Sequence, residues 1–160
     1  MKIFCYGAGT TLEDIGWQVY LGLVALLAGS AFFSASETAF ATVNTIRLKN
    51  YADAGDKKAA MALKIAEMYE KTLSSILIGN NLVNIAISSI AAVLFTSWMG
   101  NAGTWVSTVV VTIVVLIFGE ILPKTFAKEH SEKVALGVCG VLLAFITVLT
   151  PVSFLFLKMQ

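Results

Sequence analysis

Three apolar stretches of this chain carry side chains that hydrocarbon does not tolerate without a reason. Ser30, Ser34, Ser36 and Glu37 lie in the first, Asn80, Asn81 and Asn84 in the second, and Gly119, Glu120 and Pro123 in the third. A carboxylate at hydrocarbon depth is costly unless it is paired, protonated or bound to a cation. Hydroxyl, amide and carboxylate oxygens are hard ligands, suited to Mg²⁺ or Ca²⁺ rather than to zinc or copper, which favour nitrogen and sulfur. A single carboxylate charge against a divalent ion gives modest affinity. Modest affinity suits a site that the ion must also leave.

Spacing sharpens the case. Ser30 and Ser34 are four residues apart, as are Asn80 and Asn84, so on helices each pair presents two oxygens on one face, one turn apart. Asn81 and Ser36 point elsewhere on those helices. Pro123 has no N–H to return to the carbonyl four residues earlier, which belongs to Gly119, and Gly119 has no side chain to obstruct that oxygen.

These residues need long helices to hold them. The chain has 160 residues, 58% hydrophobic and 13% charged, against about 25% charged in an ordinary soluble domain. Its mean hydropathy is +0.83. An all-α integral membrane protein follows. Residues 1–14 read as a short polar lead-in, because Gly7, Gly9, Thr10 and Thr11 break any signal-peptide core. Spans are expected over about 15–45, 72–98 and 105–126. Between the first two, residues 53–56 form a turn and residues 57–69 an amphipathic surface helix. Residues 99–104 turn between the second and third spans, flanked by Trp98 and Trp105 where an aromatic belt is expected.

Arg47, Lys49, Lys57, Lys58, Lys64 and Lys71 occupy the loop after the first span, none occupies the 99–104 turn, and Lys124, Lys128 and Lys133 follow the third. The positive-inside rule places the N-terminus outside and the basic loop in the cytoplasm. The fourth apolar run, about 134–158, is long enough to span but is interrupted by Gly137, Gly140 and Pro151. A folded-back pair of short helices on the cytoplasmic side is the expected form, which keeps the C-terminus cytoplasmic. Counting about 1.5 Å per residue, Ser30 and Ser34 lie roughly 22 and 28 Å from the outer end, and Gly119 and Glu120 roughly 21 to 23 Å. Asn80 and Asn84 lie roughly 18 and 12 Å from the outer side, so tilt lets the three groups share one layer.

Each residue also has a plainer reading. Ser and Asn are common hydrogen-bonding glue between membrane helices. Glu37 lies near the cytoplasmic end of its span, where it could snorkel or pair with a loop lysine. His130, among Lys128, Glu129, Glu132 and Lys133, belongs to a solvated surface, and Gly22, Ala25, Ala28, Gly29 and Ala31 suit close helix packing. Cys5 and Cys139 have no zinc or disulfide spacing. No HExxH, paired-aspartate or Ser/His/Asp constellation appears in the spans, which argues against an enzyme, and no basic stripe suggests nucleic acid.

FFSASETAF at 32–40, GNNLVN at 79–84 and GEILPK at 119–124, in that order, resemble the DUF21-type transmembrane domain of the CorC/CNNM (cyclin M) family of magnesium transporters. The resemblance runs from about Ile15 to the end of the chain. It implies a homodimer of three-helix protomers, a short helical pair forming a cytoplasmic belt, and Na⁺-coupled Mg²⁺ export across the plasma (inner) membrane. By motif position it implies Ser30, Ser34, Asn80, Asn84, the Gly119 carbonyl and Glu120 as ion ligands, with Ser36 as the alternative to Ser34. Cytoplasmic CBS domains are implied after the membrane domain and do not occur within these residues. A passive divalent-cation channel, or an anchoring and dimerisation module without its own ion site, would share much of this pattern.

Overall fold

A computed structural model describes residues 16–157, and side chains as far as residue 147. The lead-in 1–14 and Cys5 lie outside the described residues. Three helical stretches, Trp17–Thr42, Tyr69–Met99 and Asn101–Glu129, are long and apolar enough to cross a membrane. The first is α1 and the second α4. The third comprises α5 (Asn101–Val114), a π-helical segment (Val115–Ile121) and α6 (Leu122–Glu129). Among the described residues there is no strand.

Two short helices separate the first and second spans. α1 ends where Val43 turns extended, and Asn44 then caps α2 (Thr45–Asp53), its Oδ1 accepting from the Arg47 N–H at 3.1 Å. Gly55, at φ +96°, supplies the left-handed turn. Asp56 caps α3 (Lys57–Glu67), accepting from the N–H groups of Lys58 at 2.8 Å and Ala59 at 3.3 Å. The Thr72 hydroxyl donates to the Ile65 carbonyl at 3.2 Å, tying the start of α4 to the end of α3.

The hairpin between the second and third spans is tighter than the six-residue turn expected. Gly100 alone separates α4 from α5, at φ +61°. A Cβ on Gly103 would run into the backbone carbonyl of Phe95, so only glycine lets the two helices approach this closely.

Residues 131–157 differ from the expected folded-back pair. They form one continuous helix, α7 (Ser131–Leu157), through Gly137, Gly140 and Pro151. Ala135, Cys139, Leu142 and Ile146 make an unbroken buried stripe along it, in one cluster with Phe33 and Phe40 of α1, Ile65 of α3 and Ile76 of α4. Gly137 and Gly140 have open space beside them. An interior glycine costs about 1 kcal/mol, which a stripe of buried apolar side chains at about 1.5–3 kcal/mol each outweighs. The short helices in the structure are therefore α2 and α3, earlier in the chain.

That cluster sits at the α2–α3 end of the molecule, with Leu48, Ile65 and Leu142 completely buried. Arg47 of α2 donates to Glu132 of α7 at 2.8 Å, and this hydrogen bond, with the carboxylate charge, raises the guanidinium pKa. The pair is exposed and contributes little to stability. By contrast, the three long stretches turn large apolar side chains outward, among them Leu82, Ile85, Val93, Val109, Phe118 and Ile121. An apolar surface this extensive fits hydrocarbon rather than water.

Candidate functional site

The three spans meet at Ser30. This residue is completely buried on α1, and its Oγ lies 2.8 Å from Asn84 Oδ1 and 3.2 Å from Asn80 Oδ1, both on α4. A serine hydroxyl has one hydrogen. Three oxygens therefore converge with a single proton to share. From the third span, the Gly119 backbone closes on the same point: a Cβ there would stand 2.8 Å from Ser30 Oγ. Any other residue type would fill the space beside the hydroxyl.

Local structure explains why span three can approach. Pro123, in the first turn of α6, donates nothing to the Gly119 carbonyl, and the chain answers by widening. Over Val115–Ile121 it is π-helical, with the Leu122 N–H bonded to the Ile117 carbonyl five residues back. Pro123 and Gly119 are legible in the sequence as a weak point. The π-helical form it takes is not, because no residue pattern marks it.

Ser34 and Ser36 separate cleanly. Ser36 donates to the Phe32 carbonyl at 2.7 Å, a local bond within its own helix. Ser34 is completely buried, on the face of α1 that carries Ser30, and its hydroxyl has no hydrogen-bond partner. An unsatisfied buried hydroxyl costs about 1–3 kcal/mol, so native structures rarely retain one without a purpose.

Of the remaining residues, Glu120 follows Gly119 directly and is half-buried. Among the described residues its carboxylate has neither hydrogen bond nor ion pair. Glu37 is engaged: its carboxylate lies 3.3 Å from Lys124 Nζ on α6. The partner is thus a lysine on α6, in the last part of the third helical stretch, not one from the loop after the first. Asn81 is exposed and outside the cluster. Among the described residues no three of His, Cys, Asp or Glu come together.

Hydroxyl, amide and carbonyl oxygens of this kind could hold a hard divalent ion by their chemistry. Neighbouring ligands of octahedral Mg²⁺, each about 2.1 Å from the ion, stand about 3 Å apart. The Ser30–Asn84 and Ser30–Asn80 oxygen separations, 2.8 and 3.2 Å, are those of the hydrogen bonds that hold the oxygens together without an ion.

Several apolar membrane-length helices around an interhelical cluster of neutral oxygens define a multi-pass membrane protein with a polar site in its interior. Residues 21–159 match the family model described as the cyclin M transmembrane N-terminal domain, and the chain belongs to that family. It is 39% identical over 137 residues to a UPF0053 protein of Haemophilus influenzae, covering 86% of this chain and 33% of the relative. It is 43% identical over 106 residues to the UPF0053 inner membrane protein YfjD of Escherichia coli, covering 66% of this chain and 25% of that protein. A polyamine export protein of H. influenzae is 27% identical over 153 residues, covering 88% of this chain and 35% of the relative. The chain spans a quarter to about a third of the length of these relatives.

Proposed function

We propose that this membrane domain carries Mg²⁺ across the bilayer, binding it largely dehydrated among Ser30, Ser34, Asn80, Asn84, the Gly119 carbonyl and Glu120. The observation that carries this reading is the buried, partnerless Ser34 hydroxyl, one turn from the point where Ser30, Asn80 and Asn84 crowd their oxygens. A cation supplies the positive charge that such a cluster lacks.

Transport follows from alternating access. Gly119 lies within the widened segment of span three and Pro123 just past it, and an irregular helix at an ion site is a natural place for the two ends of a membrane protein to open in turn. Movement of α6 against α5 would carry the Gly119 carbonyl and Glu120 toward or away from Ser30. Na⁺ prefers the same class of oxygen, so Na⁺ entering down its gradient would displace Mg²⁺ outward. Export is the favoured direction for a domain whose relative is a polyamine export protein. In this reading the domain works as a homodimer in the plasma (inner) membrane, with its N-terminus outside and the basic α2–α3 end in the cytoplasm. Nucleotide-binding CBS domains would follow it in the longer protein.

The polyamine exporter also motivates a second cargo, an organic polycation. Flux from vesicles holding the purified chain tests both. Mg²⁺ release should need an opposing Na⁺ gradient and stop in Glu120→Gln, and spermidine should neither be carried nor compete. Large passive currents without Na⁺ would mark a channel instead, and spermidine flux would reassign the cargo.

A further inference from the structure

The Glu37–Lys124 pair sits where it can act on an ion leaving the Ser30 cluster. Ser30, Ser34 and Glu37 fall at positions i, i+4 and i+7 of α1, along one face. Glu37 is therefore about 10 Å from Ser30 along the helix, toward the α2–α3 end. The third span runs beside α1 in the same direction. Gly119 meets Ser30, and Lys124, five residues on, meets Glu37 at 3.3 Å. The two elements that build the site thus meet a second time on one side of it, through opposite charges.

The pair is neither sealed nor fully solvated, with 26% of the Glu37 side chain and 40% of the Lys124 side chain exposed. A lysine is a compact charge on a flexible four-carbon stem, so it can swing away without moving the backbone. The atoms that meet at Ser30 are neutral oxygens, and Glu37 is the carboxylate that follows on the same α1 face.

Taking the Ser30 cluster as the main Mg²⁺ site, we infer that Glu37 is a second cation subsite, on the α2–α3 side of it, and that Lys124 is a tethered cation occupying that subsite until a mobile cation displaces it. Lys124 keeps the carboxylate from holding an ion permanently. When an ion passes, Lys124 yields and Glu37 carries the charge between the cluster and the α2–α3 end.

Titration of the purified full chain with Mg²⁺ tests this in wild type, Lys124→Gln, and Glu37→Gln combined with Lys124→Gln, each with and without Ser30→Ala. Helical circular dichroism checks that every variant is folded. Lys124→Gln should bind a second equivalent of Mg²⁺ that survives Ser30→Ala and disappears when Glu37→Gln is added. If Lys124→Gln keeps the single equivalent of wild type, this inference is overturned and the Ser30 reading stands. If wild type binds none and Lys124→Gln binds one that needs Glu37, the Ser30 reading fails and the Glu37 subsite stands. If neither protein binds Mg²⁺, both fall.

Discussion

Ser34 and Ser36 are both completely buried, two residues apart on α1, yet Ser36 hydrogen-bonds its own helix at 2.7 Å and Ser34 bonds nothing. A serine in a helix usually has the carbonyl four residues back within reach, as Ser36 does. Ser34 forgoes that bond on the face that also carries Ser30. The difference between the two hydroxyls makes them a matched pair for experiment.

Ser34→Ala should leave the ion-free protein as stable as wild type or more stable, by about 1 kcal/mol, since it removes an unsatisfied polar group. The same change should weaken Mg²⁺ binding. Ser36→Ala should do the reverse, costing a little stability and leaving Mg²⁺ affinity unchanged. Thermal unfolding in detergent with and without Mg²⁺ reads both; equal Mg²⁺ responses in the two variants would remove Ser34 from the ligand set.

Gly119→Ala introduces a Cβ at 2.8 Å from Ser30 Oγ. Either the hydroxyl or span three must shift, at a cost of about 1–3 kcal/mol. Mg²⁺ affinity should fall at least about tenfold, because the displaced atoms are the proposed ligands. Gly103→Ala is the control, since its clash is with the Phe95 backbone at the far hairpin. It should lower stability by more, because backbone cannot move aside as a side chain can, and leave the Mg²⁺ affinity of the folded protein intact.

Much of this arrangement is legible in the sequence. The four-residue spacings of Ser30 with Ser34 and of Asn80 with Asn84, together with the depth count, bring the three spans to one layer, and the structure places Ser30 against Asn80, Asn84 and Gly119. Two things are not legible. Periodicity treats Gly137 and Gly140 as breakers, because it cannot weigh them against a buried stripe formed only in the folded protein. Nor does it pair Glu37 with Lys124, though the i+7 spacing from Ser30 already puts Glu37 on the site face.

Asn84→Asp adds a carboxylate to the cluster at the position whose oxygen lies 2.8 Å from Ser30. Mg²⁺ should bind more tightly, while turnover in vesicles should fall because the ion leaves more slowly. Faster transport together with tighter binding would show that release does not limit the cycle.

Ligand binding to the folded state stabilises it by mass action, by about 2.7 kcal/mol at 100 times Kd. Mg²⁺ should therefore raise the unfolding temperature in K⁺ buffer, and the rise should shrink in Na⁺ buffer if the two ions share oxygens. An equal rise in both buffers would separate Na⁺ from the site.

The most direct measurement is calorimetric titration of the purified chain with Mg²⁺ in K⁺ and in Na⁺ buffers, beside Asn84→Ala and Glu120→Gln. The predicted result is one equivalent bound by wild type, weaker in Na⁺ and lost in both folded variants. Absence of binding to wild type, or the same isotherm in all three proteins, would contradict a Mg²⁺ site among these helices and leave the serines and asparagines as packing contacts.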